Sequence, residues 1–278
     1  MAYKSILTIL TNTNLDGSAL SGAVAMTRNQ DAHLDILALG IDHSTPGYYY
    51  AGTNAMIEQA TLERARQEAQ EIDEAVRAAM ATEECRWSSE AALAQIGTIQ
   101  NLVGNRARFS DLVVLPKPYG EDKGVAEEAV IEAALFAGNV PVLVMPDGML
   151  AKKPERIVVA WNQSAEALDA VRAALPLLKQ AAMTNIVIID PPRHGPDRSD
   201  PGGMLSQMIS RHGVKAEISV IAATMPRTAD VLARHCEDQQ ADMLVMGAYG
   251  HSRFREAIMG GATRDMLEAA KVPVFMSH

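Results

Sequence analysis

The residues best suited to chemistry lie between Asp242 and Thr263, in D-M-L-V-M-G-A-Y-G-H-S-R-F-R-E-A-I-M-G-G-A-T. Met243 to Met246 is a short apolar run of the kind that forms a buried strand. Gly247 and Gly250 follow it. Gly260 and Gly261 come after nine intervening residues, and Ala262-Thr263-Arg264-Asp265-Met266-Leu267 opens a helical pattern. That layout suits an anion. Glycine lets backbone N–H groups approach a ligand closely and accepts φ > 0 without strain. A helix N-terminus adds unpaired N–H groups and a partial positive charge. Arg264, in the first helical turn, either adds charge or faces water. Glycine turns after strands are common in α/β proteins generally. Local chemistry therefore leaves a phosphate cradle and a plain turn both open.

Other chemistries are excluded by spacing. A P-loop needs G-x-x-x-x-G-K-[S/T], which Gly260-Gly261-Ala262-Thr263-Arg264-Asp265 is not. A dinucleotide-binding fold places its glycines after the first strand, where this chain has Trp161-Asn162-Gln163-Ser164 in its second half. The paired histidines that related nucleotidyl transferases carry beside the first strand are missing. His251 lies in the glycine loop and either touches a phosphate or simply meets solvent. No metal-binding cluster is evident, so Mg²⁺ would enter only with a nucleotide. Glu256 and Asp265 are near the loop in sequence, but neither can be assigned as a general base. Catalysis beyond slow hydrolysis is not expected.

The elements that must position this loop are read from periodicity. In the first half, strands are predicted at Ser5–Leu10, Leu34–Leu39, Cys85–Ala91, Asp111–Leu115 and Val140–Met145. Helices are predicted at Ser18–Arg28, Ala55–Ala81, Leu93–Ala107 and Val125–Ala137, with Gly138 as a C-cap. Residues 43–53, with Pro46, Gly47 and three tyrosines, read as a loop. Pro146-Asp147-Gly148 and Lys152-Lys153-Pro154 read as a linker, after which the pattern restarts. Strands follow at Arg156–Trp161, Asn185–Ile189, Lys215–Ile221, Met243–Met246 and Val272–Met276. Helices are expected at Ala165–Lys179, up to Arg211, at Thr228–Gln239 and up to Ala270. Strands alternating with helices predict an α/β fold of two tandem doubly wound five-stranded parallel sheets.

Composition agrees with that architecture. At 278 residues the chain has room for two domains, expected at 1–150 and 151–278. Aromatics make up only 4%, so the core must rest on Val, Ile, Leu, Met and Ala. A net charge of −9 argues against a nucleic-acid partner, which needs a basic face. Cys85 and Cys236 make neither a C-x-x-C nor a zinc spacing. No signal-peptide pattern and no membrane-length apolar run is found, so a cytoplasmic protein without membrane contact is expected.

The two halves repeat each other in residues as well as in order. Asp111-Leu-Val-Val-Leu before Asn139-Val-Pro-Val-Leu-Val-Met matches Asp242-Met-Leu-Val-Met before Lys271-Val-Pro-Val-Phe-Met. Internal duplication follows. The first half has Pro116-Lys117-Pro118-Tyr119-Gly120 where the second has its glycine turn. Proline offers no N–H to a phosphate, so the first half is not expected to bind ATP through this loop.

The spacing Gly247-x2-Gly250-x9-Gly260 resembles the G-x2-G-x9-G-[S/T] signature of the universal stress protein family. With the duplication in view, the whole chain resembles a tandem member of that family. Gly261 departs from the signature by lacking a hydroxyl, and Thr263 lies two residues on. Asn162-Gln163-Ser164 is similar to the end of the family's first strand, with Asn162 at an Asp position. Ile188-Ile189-Asp190 is similar to its second-strand ending. The resemblance implies strand order 3-2-1-4-5, with ATP or another adenine nucleotide at the carboxyl ends of the strands. Asn162 and Ile188 would then face adenine, and Gly247, Gly250, Gly260, Gly261 and Ala262 would offer N–H groups to phosphates, with Thr263 as a substitute hydroxyl. Asn162 and Ser164 also read as an ordinary helix N-cap region, and Trp161 as packing or as a base-stacking ring. The resemblance further implies pairing of the last strands of the two halves as an intramolecular pseudo-dimer, and it is compatible with a homodimer. A stress-response regulatory protein is one implied function. An interaction or scaffold protein with a vestigial pocket or a different ligand is the other.

Overall fold

The computed structural model describes residues 2–15, 18–43, 54–120, 123–149, 152–191, 200–248 and 261–278. Gly250, His251, Glu256 and Gly260 lie outside the described residues. The chain divides into two compact units, one built on Tyr3–Val140 and the other on Lys152–His278 together with Pro141–Pro146.

The first unit holds β1 (Ser5–Leu10), α1 (Ser18–Gln30), β2 (His33–Asp42), α2 (Asn54–Met80), β3 (Arg86–Gln95), α3 (Ile99–Ala107), β4 (Leu112–Pro116) and α4 (Val125–Glu132). Its strands are parallel in the order β3-β2-β1-β4. Right-handed crossovers place the helices after β1 and β2 on one face and those after β3 and β4 on the other. Both faces are thus covered, and β1 and β4 read as continuous apolar runs for that reason. In α2 the buried residues Ala65, Ala69, Ile72, Val76 and Met80 fall on one helical stripe. That stripe lies against β2 and β3.

One prediction in this unit is corrected. Leu93, Ala94 and Gln95, expected in a helix, extend β3, pairing with Gly40, Ile41 and Asp42 of β2. Ladder hydrogen bonds to an already placed strand override the helical propensity of Leu and Ala. The α-helix starts only at Ile99, after a short 3₁₀ turn at Ile96–Thr98 in which the Gln95 amide donates to Thr98 Oγ1 at 3.2 Å. Helix α4 ends in a π-turn over Ala133–Ala137. Gly138 is its C-cap, as expected, with a right-handed φ of −77°, and the left-handed residue is Asn139 at φ 52°.

The second unit holds β6 (Arg156–Ala160), α5 (Ala165–Leu178), β7 (Met183–Ile189), α6 (Gly203–Arg211), β8 (Ala216–Ile221), α7 (Thr228–Asp238), β9 (Met243–Gly247), α8 (Gly261–Ala269) and β10 (Val274–Ser277). The order is β8-β7-β6-β9-β10, all parallel. A further strand, β5 (Val142–Met145), pairs antiparallel with β10 through Val144↔Val274, Leu143↔Phe275 and Val142↔Met276. This covers an apolar edge that would otherwise be open to aggregation. Phe275, at its centre, is fully buried.

Each unit starts its central strands with the same carboxylate clamp. Asp111 accepts hydrogen bonds from the Lys4 and Ser5 amides at 2.6 and 3.0 Å. Asp242 accepts from the Glu155 and Arg156 amides, both at 2.9 Å, and is paired with Lys152. Burial alone would raise the Asp242 pKa. The Lys152 ammonium and the two amides outweigh it and hold the carboxyl below the usual aspartate value.

Asp242→Ala leaves two strand-end amides without their acceptor and is expected to cost about 1–3 kcal/mol, read from urea denaturation at neutral pH. Because the folded pKa is depressed, the clamp contributes fully above the ordinary aspartate value. Its contribution is lost as pH falls from about 4 downward. The variant's stability should therefore converge on the wild type's in acid. A constant gap across that window would rule the clamp out.

Candidate functional site

A cleft of about 540 Å³ opens at the carboxyl ends of β6, β7 and β9. That is where a doubly wound sheet binds ligands, beside the point at which strand order reverses. Strand ends form its floor: Ala160, Trp161 and Asn162 after β6, Val187, Ile189 and Asp190 at β7, Met246 and Gly247 at β9. Thr228, Ala229 and Leu232 from the start of α7, with Ala223, close one side, and Gly261, Ala262 and Thr263 from the start of α8 close another. Ser164, the N-cap of α5, completes the lining. Three helices therefore begin at the cleft, and helix N-termini favour negative charge.

The strand ends turn sharply. Gln163 and Asp190 both adopt left-handed backbone, at φ 63° and 41°, an uncommon conformation for residues with a Cβ. Asn162 Oδ1 accepts the Ser164 amide at 3.1 Å, and Ser164 Oγ accepts the Ala167 amide at 3.1 Å. The N-cap reading of Ser164 is thus realised. Asn162 has one amide function in the turn, and its NH₂ remains for a ligand. Trp161 lines the cleft while its indole N–H donates to Pro201 O at 3.2 Å, which fixes the ring as a wall.

Of the residues singled out in the sequence, Asn162, Gly247, Gly261, Ala262 and Thr263 come together in this cleft. Gly250 and Gly260 lie outside the described residues. Ile188 does not line the cleft. It alternates with Val187 and Ile189, and its Cδ1 lies on the other face, 3.0 Å from where a Cβ on Gly202 would stand. The Ala248 amide donates to Ser277 O at 2.9 Å and is used within the sheet. Sequence reading missed the contribution of α7. The available signal was topological: every helix that follows a parallel strand presents its N-terminus at the carboxyl edge.

Comparison with known proteins bears on this half directly. The model of the Universal stress protein family matches residues 154–278. The C-terminal half of the chain is thus similar to that family. A universal stress protein of Synechocystis is 31% identical over 72 residues, which cover 26% of this chain and 24% of that protein. The match thus spans about a quarter of that relative's length. The crystal structure of a universal stress protein from Archaeoglobus fulgidus superposes with a TM-score of 0.68, covering 98% of this chain and 95% of that one at 16% identity. A functionally unknown protein from Pseudomonas aeruginosa superposes with a TM-score of 0.59, covering 99% and 92%, also at 16% identity. At that identity the two structures establish the fold over the whole chain.

In the N-terminal half the matching crevice is bridged. Counting from the aligned pairs Ile6–Leu112 and Ile157–Met243, Thr11 is the counterpart of Asn162. Thr11 Oγ1 donates to Glu127 Oε1 at 3.2 Å, and the Gly124 amide donates to Glu127 Oε2 at 2.8 Å. The N-terminus of α4, which would otherwise attract an anion, holds an internal carboxylate.

The two glycines of the C-terminal cleft differ in what requires them. A Cβ on Gly247 would stand 2.5 Å from Ala167 N and 2.7 Å from Glu166 C, so α5 packs on bare backbone there. Among the described residues, a Cβ on Gly261 would meet nothing within 4 Å. Gly247→Ala is therefore expected to destabilise the ligand-free protein by about 1–3 kcal/mol, measured by urea denaturation after dialysis. Unchanged stability would show that the α5 backbone yields without cost.

Proposed function

We propose that this chain is a universal stress protein, a stress-response regulator that binds ATP or another adenine nucleotide in its C-terminal cleft. On this reading the chain is a duplicated pair of domains, 1–150 and 151–278, of which the second carries the ligand. The observation that supports it is the convergence of an apolar slot and a helix N-terminus in one cleft. Val187, Ile189, Ala223 and Leu232 suit a flat base. Asn162 and Asp190 offer a donor and an acceptor for base or ribose. The first turn of α8, at Gly261, Ala262 and Thr263, suits phosphate. Among the described residues no group of His, Cys, Asp and Glu could hold a metal, so Mg²⁺ would arrive on the phosphates.

Regulation by occupancy fits this site better than turnover. Asp265 is not part of the lining and lies 3.9 Å from Arg227 Nη1. Asp190, the one carboxylate among the described residues of the cleft lining, sits at the β7 end rather than at the start of α8. No helix among the described residues is long and apolar enough to cross a membrane.

A second reading rests on a specific residue. Gly261 lacks the hydroxyl of the family signature, and a cleft without it would serve an interaction protein with a different ligand. Position 261 separates the two readings. No described residue stands in the way of a side chain there, so both Gly261→Ser and Gly261→Val should fold. Serine adds one hydrogen bond to phosphate and should tighten ATP binding by about two- to tenfold. Valine covers the helix start and should weaken it by about tenfold or more. Nucleotide released on denaturing the purified protein, with isothermal titration of the variants, provides the measurement. ATP affinity indifferent to both substitutions, or no binding at about 1 mM, would sink the nucleotide reading in favour of the second.

A further inference from the structure

The N-terminal half has a second opening, at the amino ends of its strands and therefore at the edge opposite the Thr11–Glu127 crevice. It is a groove of about 710 Å³ between the β1–β2–β3 face and the end of α3. Leu7, Leu37 and Leu102 give it apolar walls, and Asp35, Ser88 and Asn105 give it polar ones. Helix α3 is short and packs chiefly on α4 and the π-turn at Ala133–Ala137, which leaves this part of the sheet face open.

The C-terminal half shows how the same position is closed. Leu7↔Asp35 of the first unit corresponds to Val158↔Asn185 of the second, so Asp35 and Asn185 are counterparts. Asn185 Oδ1 meets His235 Nε2 of α7 at 2.8 Å, and its Nδ2 donates to Ser219 Oγ at 2.9 Å. Both Asn185 and His235 are buried. In the first half no side chain of α3 reaches Asp35. Its Oδ1 accepts from Ser88 Oγ at 2.6 Å and lies 3.6 Å from His33 Nε2, and among the described residues nothing engages Oδ2. The other carboxylate in the groove, Glu90, is neutralised by Arg106. Phe109, at the rim, is 81% exposed, a large apolar surface to leave in water unless something covers it.

We propose that this groove is a second ligand site, which takes a small primary amine with an apolar body. Asp35 supplies the counter-charge. An ammonium group carries three donors and no acceptor, which matches a half-used carboxylate beside hydroxyl and amide acceptors. Charge-assisted hydrogen bonds of this kind are among the stronger polar contacts. The leucine walls hold the hydrocarbon, and an exposed aromatic ring adds attraction for a cation. An anion is disfavoured by Asp35, and a neutral alcohol forfeits the charge.

Isothermal titration of the full chain with 2-phenylethylammonium chloride tests the site. Saturable binding is expected, weakened about tenfold or more when 2-phenylethanol or phenylacetate replaces the amine. Asp35→Asn, which gives this position the residue of its counterpart, should weaken amine binding by about tenfold or more. Leu102→Trp, which fills the groove without altering its charge, should abolish it. Circular dichroism confirms that each variant folds, and either variant alone decides the question should the other fail. Undetectable amine binding by the wild type at about 10 mM, equal affinity for alcohol and amine, or binding unaffected by the folded variant would overturn the assignment.

Discussion

The cleft depends on where two strands begin. Asp242 accepts the amides of Glu155 and Arg156 and so fixes the stagger of β6 against β9, with Ile157 opposite Met243 and Val159 opposite Val245. Both strands are five residues long. Fixing their starts therefore fixes their ends, and Asn162 emerges beside Gly247. A slip of one residue would reverse the facing of every side chain on the shifted strand. The cleft-lining residues owe their proximity to a carboxylate at the far edge of the sheet, outside the cleft.

The repeat of that clamp at Asp111 explains what the two halves kept and what they changed. The clamp, the central strand order and the apolar strands are constraints of folding, and both halves obey them. The carboxyl edge is under no such constraint. There, Asn162 in one half corresponds to Thr11 in the other, and Glu127 in the first half supplies an anion from within the chain. The opposite edge diverged in the other sense. Asn185 is plugged by His235 in the second half, whereas Asp35 in the first stays open.

Much of this was legible in sequence, for identifiable reasons. Buried strands read as unbroken apolar runs, and the exposed edge strand β8 as an alternating one, so nine of the ten described strands were found nearly to their ends. The tenth, β3, is an edge strand with polar, alternating residues. Its end reads as helix, because Leu93 and Ala94 carry helical propensity while the ladder with β2 is a tertiary fact. The paired Asp and Pro positions disclosed the duplication, yet no local pattern announces that Asp242 accepts two amides. In the cleft, residues on strand ends were legible because strand ends are. Thr228, Ala229 and Leu232 were not, since a helix start beside a ligand has the same composition as one beside water. The Asp35 groove could not have been read at all. It exists because α3 lies elsewhere, and the length of a helix does not say how far from its sheet it packs.

The glycine signature combines physically different demands. Gly247 is required by the first turn of α5, and its presence would persist in a protein that had lost its ligand, because any side chain there meets backbone. Among the described residues nothing makes such a requirement of Gly261. The residue at that position is free to follow the ligand alone, and what it lacks is a hydroxyl. A match at Gly247 is therefore evidence of packing, and the departure at Gly261 is evidence about binding. The weight of the nucleotide reading accordingly rests on the start of α8 and the apolar slot beside it. On the nucleotide reading, backbone amides would hold the phosphate and a hydroxyl at 261 would add affinity; on the other reading, its absence reflects a different ligand.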